Sequence, residues 1–200
     1  DVGAAGIGCG RCRAGLGEIA LGIHEVHFGN PSGRRGDRLT VGSAEHVVFA
    51  AARGQDGHPR HDGEQARNGA EVIGAATAEM QAAGAQVLAR KVDVSNAAQM
   101  EQLAADVQQR FGAPHLVFNN AGVGAGGLVW ENSVKDWEWV LGVNLWGVVH
   151  GVRLFTPMML AAAKADPAWR GHIINTASMA GLLNAPNMGI YNVSKHAVVA

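Results

Sequence analysis

A chain of 200 residues with 48% hydrophobic and 16% charged residues can bury one sizeable core, so one domain is the expected count. A net charge of -1 and a pI near 6.8 give no reason to expect nucleic acid or a membrane surface as partner. Two cysteines argue against a disulfide scaffold, and no apolar run reads as a bilayer span or a signal peptide, so a cytoplasmic setting is expected.

Residues 1–70 read as an irregular region. They hold about half of the 28 glycines, in clusters such as Gly33-Arg-Arg-Gly-Asp-Arg38 and Gly54-Gln-Asp-Gly-His-Pro-Arg60, and no helix-length apolar period emerges. Glu45-His-Val-Val-Phe-Ala50 is the exception and reads as a strand. Cys9-Gly-Arg-Cys12 followed by His24-Glu-Val-His27 is close to a two-Cys, two-His zinc set, but the histidines are too closely spaced and no apolar helix carries them. A redox dithiol would need a thioredoxin-like βαβ context, which is missing. No metal site is expected.

From residue 71 to 200 strands and helices alternate. Ala75 to Ala83 is Ala-rich and helix-prone, Gly84 closes it, and Gln86 to Asp93 reads as a strand. Asn96, with Gln99 three residues on, opens a helix whose Met100, Leu103, Val107 and Phe111 keep the 3-and-4 apolar spacing, and Gly112 and Pro114 stop it. Leu116-Val-Phe-Asn119-Asn120-Ala121-Gly122 is a short apolar run ending in two amides and a glycine. It reads as a buried strand that delivers polar groups at its carboxyl end, where open α/β sheets bind ligands. Trp137, Val140, Leu141, Asn144, Val148 and Phe155 then keep mostly helical spacing, which puts Asn144 on the apolar face of a long helix. A buried amide needs partners, and core backbone groups or a functional role would each supply them. His172-Ile-Ile-Asn175-Thr-Ala-Ser178 is a second short strand, ending in a hydroxyl. The pattern predicts an α/β fold with a doubly wound parallel sheet and a site at its edge.

Tyr191 and Lys195 stand four residues apart, with Ser178 upstream. An i, i+4 pair lies on one face of a helix, so the ammonium can sit near the phenol and ease the loss of its proton. That makes the Tyr a usable general acid/base. The plainer alternative is a surface Lys beside a half-buried Tyr.

In order and interval, Asp93-Val94, Asn119-Asn120-Ala121-Gly122, Asn144, Ser178, and Tyr191 with Lys195 resemble the short-chain dehydrogenase/reductase family. The resemblance runs from about residue 70 to the end, with an apparent small insertion near Ala165 to Arg170. It implies a Rossmann-like fold and transfer of a hydride between NAD or NADP and a small alcohol or carbonyl compound. Tyr191 would exchange the proton with the substrate oxygen, and Ser178 would hydrogen-bond that oxygen. Lys195 would favour the phenolate and hold the nicotinamide ribose, with Tyr191 beside it against the cofactor. Asn144 would hold a water linking Lys195 to solvent. Asp93, with Val94 beside it, would contact the adenine, and Asn119, Asn120, Ala121 and Gly122 would line the cofactor cleft.

The head of the chain follows the family less well. Val2-Gly3-Ala-Ala-Gly6-Ile7-Gly8 resembles the Gly-rich pyrophosphate turn, with Val in place of Thr, one residue missing and no strand before it. Spacing from Asp93 would instead place that turn near Val41 to Val47, where Gly42-Ser43-Ala44 lacks the later glycines. The acid or base that selects NAD or NADP is not located. The resemblance further implies homodimers or homotetramers through long helices, here bearing Trp137, Trp139 and Trp146. Two more strands and a substrate-covering loop follow in the family, so the chain reads as a fragment of a longer reductase with an aberrant N-terminal region. The alternative from another class is a catalytically inactive binding or scaffold protein that keeps the reductase core.

Overall fold

The computed structural model describes residues 20–24, 46–51 and 64–200, with side chains from residue 73 onward. Five strands form one sheet in the order β3-β2-β1-β4-β5. They are β1 (Ala20–His24), β2 (His46–Ala51), β3 (Gln86–Lys91), β4 (Leu116–Asn119) and β5 (His172–Asn175). The β2–β3 and β4–β5 pairs are parallel. Each is joined through helix: α1 (Glu64–Ala82) precedes β3, and α3 (Val134–Leu141) with α4 (Gly147–Ala165) precede β5. Parallel neighbours require such crossovers.

The α/β class and the parallel βαβ unit at β4 and β5 agree with the sequence. One strand departs from a uniformly parallel sheet: β1 runs antiparallel to both neighbours, Ala20 opposite Ala51 and Gly22 opposite Phe118. β1, β2 and the first turns of α1 also fall within the stretch that the sequence reads as irregular, where only the β2 segment shows a strand pattern.

Local rules set the helix boundaries further on. Gly84, at φ 90°, follows α1 in a conformation that only glycine adopts without strain. Helix α2 (Ala97–Phe111) opens on Asn96, whose side chain accepts from Gln99 N, while Gln99 Oε1 accepts from Asp93 N. It closes on Gly112 and buries Met100, Leu103, Ala104 and Val107. A reciprocal capping box between Ser133 and Asp136 opens α3.

Between α3 and α4 the helix continues through one π turn, Gly142–Trp146, which contains Asn144. Over Val134–Ala165 the run is long and apolar enough to cross a membrane, with a mean hydropathy of 1.2 over its best window. That corrects the sequence expectation of no such run. Here Val140, Val143, Phe155 and Met159 of this run join the core instead, with β4 Val117, α2 Leu103 and Ile190 of α5 (Gly189–Val199). This packing lays α4 against β4 and β5.

Candidate active site

The carboxyl ends of β4 and β5 lie side by side, with Asn119 in register with Asn175. Polar rungs join them. Asn119 Nδ2 donates to Asn175 Oδ1 at 2.8 Å, Thr176 N donates to Asn119 O at 3.0 Å, and Thr176 Oγ1 donates to Asn120 Oδ1 at 2.7 Å. Asn119 is buried, and its Oδ1 has no partner among the described residues. A Cβ built on Gly151 would come within 2.0 Å of that oxygen, so α4 can lie on the strand only because residue 151 has no side chain. The Asn119 side chain is therefore a strut between β4 and α4. Ala121 is also buried, whereas Asn120, Gly122 and Val123 are partly open.

The π turn brings Asn144, fully buried, onto the chain just past Gly122. Its Oδ1 accepts from Val123 N at 2.7 Å, and its Nδ2 donates to Val123 O and to Ser194 Oγ, each at 2.9 Å. Both amide hydrogens are thus committed, and one oxygen lone pair is the remaining side-chain capacity. Ser194, also fully buried, passes its own proton to Tyr191 O at 2.8 Å. One amide therefore joins the turn after β4 to the helix that carries Tyr191 and Lys195.

That helix, α5, meets the segment after β5 at close range. Ser178 ends the polar strand extension and caps a short 3-10 turn, Met179–Gly181, its Oγ accepting from Ala180 N at 3.2 Å. A Cβ on Gly181 would lie 2.6 Å from Lys195 O, so the turn rests directly on the α5 backbone. Lys195 is 4% exposed, and burial pushes its ammonium below the usual lysine range. Its Nζ donates to Thr176 O at 2.8 Å and stands 5.8 Å from the centre of the Tyr191 ring. Two of its three hydrogens remain, and neither the Tyr191 hydroxyl nor the Ser178 proton has a hydrogen-bond partner among the described residues.

Asp93 and Val94 are placed differently. The Asp93 carboxylate accepts from Ser95 N at 2.9 Å and Ser95 Oγ at 2.7 Å, holding the turn before α2. Val94 is buried under Gly147, where a Cβ would come within 2.9 Å of its Cγ2. Its side chain belongs to the core. Gly3, Gly6 and Gly8 lie outside the described residues, as do Cys9, Cys12 and His27 of the zinc reading. Among the described residues no group of three His, Cys, Asp or Glu could hold a metal ion.

The free donors fit a nicotinamide cofactor and an oxygen-bearing substrate: an ammonium with spare hydrogens for ribose hydroxyls, and a phenol and a hydroxyl for a carbonyl oxygen. Thr176 and Ser194 were not singled out from sequence. Their only signal was position, a hydroxyl two residues before Ser178 and another directly before Lys195.

A model of the family described as short chain dehydrogenase matches residues 65–200. The chain belongs to the short-chain dehydrogenase/reductase family. It is 39% identical to an uncharacterized NAD-dependent oxidoreductase of Mycobacterium tuberculosis over 130 residues, 65% of this chain and 46% of that protein. A short-chain dehydrogenase/reductase from Burkholderia phymatum, solved in complex with NAD, superposes with a TM-score of 0.61 at 53% identity, over 65% of this chain and 44% of that one. NAD+-bound xylitol dehydrogenase gives a TM-score of 0.59 at 30% identity, over 65% and 48%. The chain spans under half the length of each of these relatives.

Proposed function

We propose that this chain carries the reacting centre of an NAD-dependent oxidoreductase that interconverts an alcohol and its carbonyl compound. The observation that carries the reading is the buried Lys195, held by Thr176 O at 2.8 Å with its ammonium 5.8 Å from the Tyr191 ring. A lysine kept in so dry a place is costly to the fold unless its charge has a use. In reduction, Tyr191 gives its hydroxyl proton to the substrate oxygen; in oxidation it takes that proton back. Ser178 donates to the same oxygen and fixes its distance from Tyr191. The spare hydrogens of Lys195 meet the hydroxyls of the nicotinamide ribose, and the cofactor, when bound, supplies or accepts the hydride.

Asn120, Gly122 and the Val123 turn border the cofactor in this reading, and Asn144 keeps that turn registered against α5. A water linking Lys195 to solvent has one Asn144 Oδ1 lone pair available to it. NAD rather than NADP is favoured by the NAD-dependent relative from Mycobacterium tuberculosis and by the two NAD-bound structures. The reading further includes a cytoplasmic setting and a homodimer or homotetramer. The assembly is supported by exposed apolar residues along the long helices, with Trp146 53% and Val193 48% exposed.

Titrating the purified chain with NAD tests the reading. Quenching of Trp fluorescence together with a rise in melting temperature is expected. A chain unaffected by either NAD or NADH would instead fit a scaffold without cofactor.

A further inference from the structure

Thr176 uses three of its polar groups on three different parts of the site. Its N–H donates to Asn119 O at 3.0 Å, its hydroxyl to Asn120 Oδ1 at 2.7 Å, and its carbonyl accepts from Lys195 Nζ at 2.8 Å. The first bond belongs to the β4–β5 ladder and fixes where the residue sits. The second fixes how its peptide is turned, because the hydroxyl must reach an amide on the neighbouring strand end. The third is the only hydrogen bond of the Lys195 ammonium among the described residues. Asn120 and Lys195 share no hydrogen bond among the described residues; Thr176 bonds both.

We propose that Thr176 is a positioning residue that couples the Asn120 turn to the Lys195 ammonium, so that the carbonyl holding the cofactor-binding lysine is itself fixed by the bond of the Thr176 hydroxyl to Asn120 on the adjacent strand end. The inference rests on the reading of Lys195 as a cofactor-binding residue. The chemistry is directional. The hydroxyl has one proton, which goes to Asn120 Oδ1, and the carbonyl then presents its lone pairs to the lysine. Without the hydroxyl, Asn120 Oδ1 lacks this partner and the Thr176 peptide is held by the ladder bond alone. A buried ammonium whose acceptor can tilt away is poorly placed to meet ribose hydroxyls.

The experiment is NAD affinity, by fluorescence quenching or calorimetry, for Thr176→Val and Thr176→Ser in the parent and in a Lys195→Met background. Thr176→Val is nearly isosteric and removes only the hydroxyl. It is expected to weaken NAD binding about five- to tenfold in the parent and less than about twofold in the Lys195→Met background, while Thr176→Ser stays within about twofold of the parent. A merely structural Thr176 gives equal losses in both backgrounds, or none in either, and either result overturns the proposal. If Thr176→Val does not fold, Thr176→Ala removes the same hydroxyl with a smaller side chain and must show the same dependence on Lys195. Normal weakening by Lys195→Met with an inert Thr176→Val sinks this proposal alone. If Lys195→Met itself binds NAD as the parent does, the reading of the cofactor site falls as well.

Discussion

Asn144 and Val123 hold each other by two hydrogen bonds, Val123 N to Oδ1 at 2.7 Å and Nδ2 to Val123 O at 2.9 Å. The pair closes a gap of 21 residues in sequence and ties the π turn to the loop that leaves β4. Asn144→Ala leaves the half-buried Val123 N–H and C=O without these partners, and the fully buried Ser194 hydroxyl without its donor. At about 1 to 3 kcal/mol for a buried group left unpaired, we expect the variant to lose about 2 to 4 kcal/mol in urea unfolding. Ser194→Ala, which removes a fully buried hydroxyl bonded to both Asn144 Nδ2 and Tyr191 O, should lose about 1 to 3 kcal/mol. Equal and negligible losses would mean that solvent replaces these bonds freely.

Gly151→Ala forces the Asn119 side chain to move, since the added carbon would stand 2.0 Å from its Oδ1. The neighbour is a short amide that already bonds Asn175, so it cannot swing aside freely. Overpacking of this kind costs about 1 to 3 kcal/mol. Asn119→Ala in the same chain should recover part of the loss, giving a double-mutant cycle with a clear coupling. Additive effects would show that the helix shifts instead of the amide.

His150 gives a prediction about pH. Burial first, and the nearby Arg153 charge second, hold its imidazole below the ordinary histidine value, and its Nδ1 has no hydrogen-bond partner among the described residues. With the folded value depressed, the unfolded chain binds the proton more readily. The residue therefore costs no stability well above about pH 6.5 and an increasing amount as pH falls below it, until the folded value is passed. Melting temperatures measured between about pH 7.5 and about pH 5 should fall less for His150→Gln than for the parent. Parallel curves would place the acid sensitivity elsewhere.

Much of the frame was legible because the signals were local. Asn96 with Gln99, Gly84 and Gly112 mark helix ends within a few residues of themselves, and the apolar runs ending at Asn119 and near Ser178 mark strands with polar tips. The order of β4, a helix and β5 then pointed to the candidate site at their carboxyl ends. What stayed hidden depends on distant partners. Asn144 could be read as buried, but not as bonded to Val123 and Ser194. The packing of the Asn119 side chain against Gly151 and of Val94 against Gly147 was equally hidden, because each glycine lies far along the chain from its neighbour. Nothing in Ala20–His24 signals a strand, since its five residues include a glycine and its register comes from Val47 to Ala51 and Phe118.

In the proposed function Tyr191 moves the proton and Lys195 holds the cofactor, and replacing each in turn separates the two roles. NAD affinity and NAD-dependent oxidation of a panel of secondary alcohols would be measured for Tyr191→Phe and Lys195→Met beside the parent. Tyr191→Phe should abolish turnover and leave NAD affinity within about twofold, because only the hydroxyl is lost. Lys195→Met should weaken NAD binding and turnover together. A Tyr191→Phe protein that oxidises the same alcohols at the parent's rate would contradict the account.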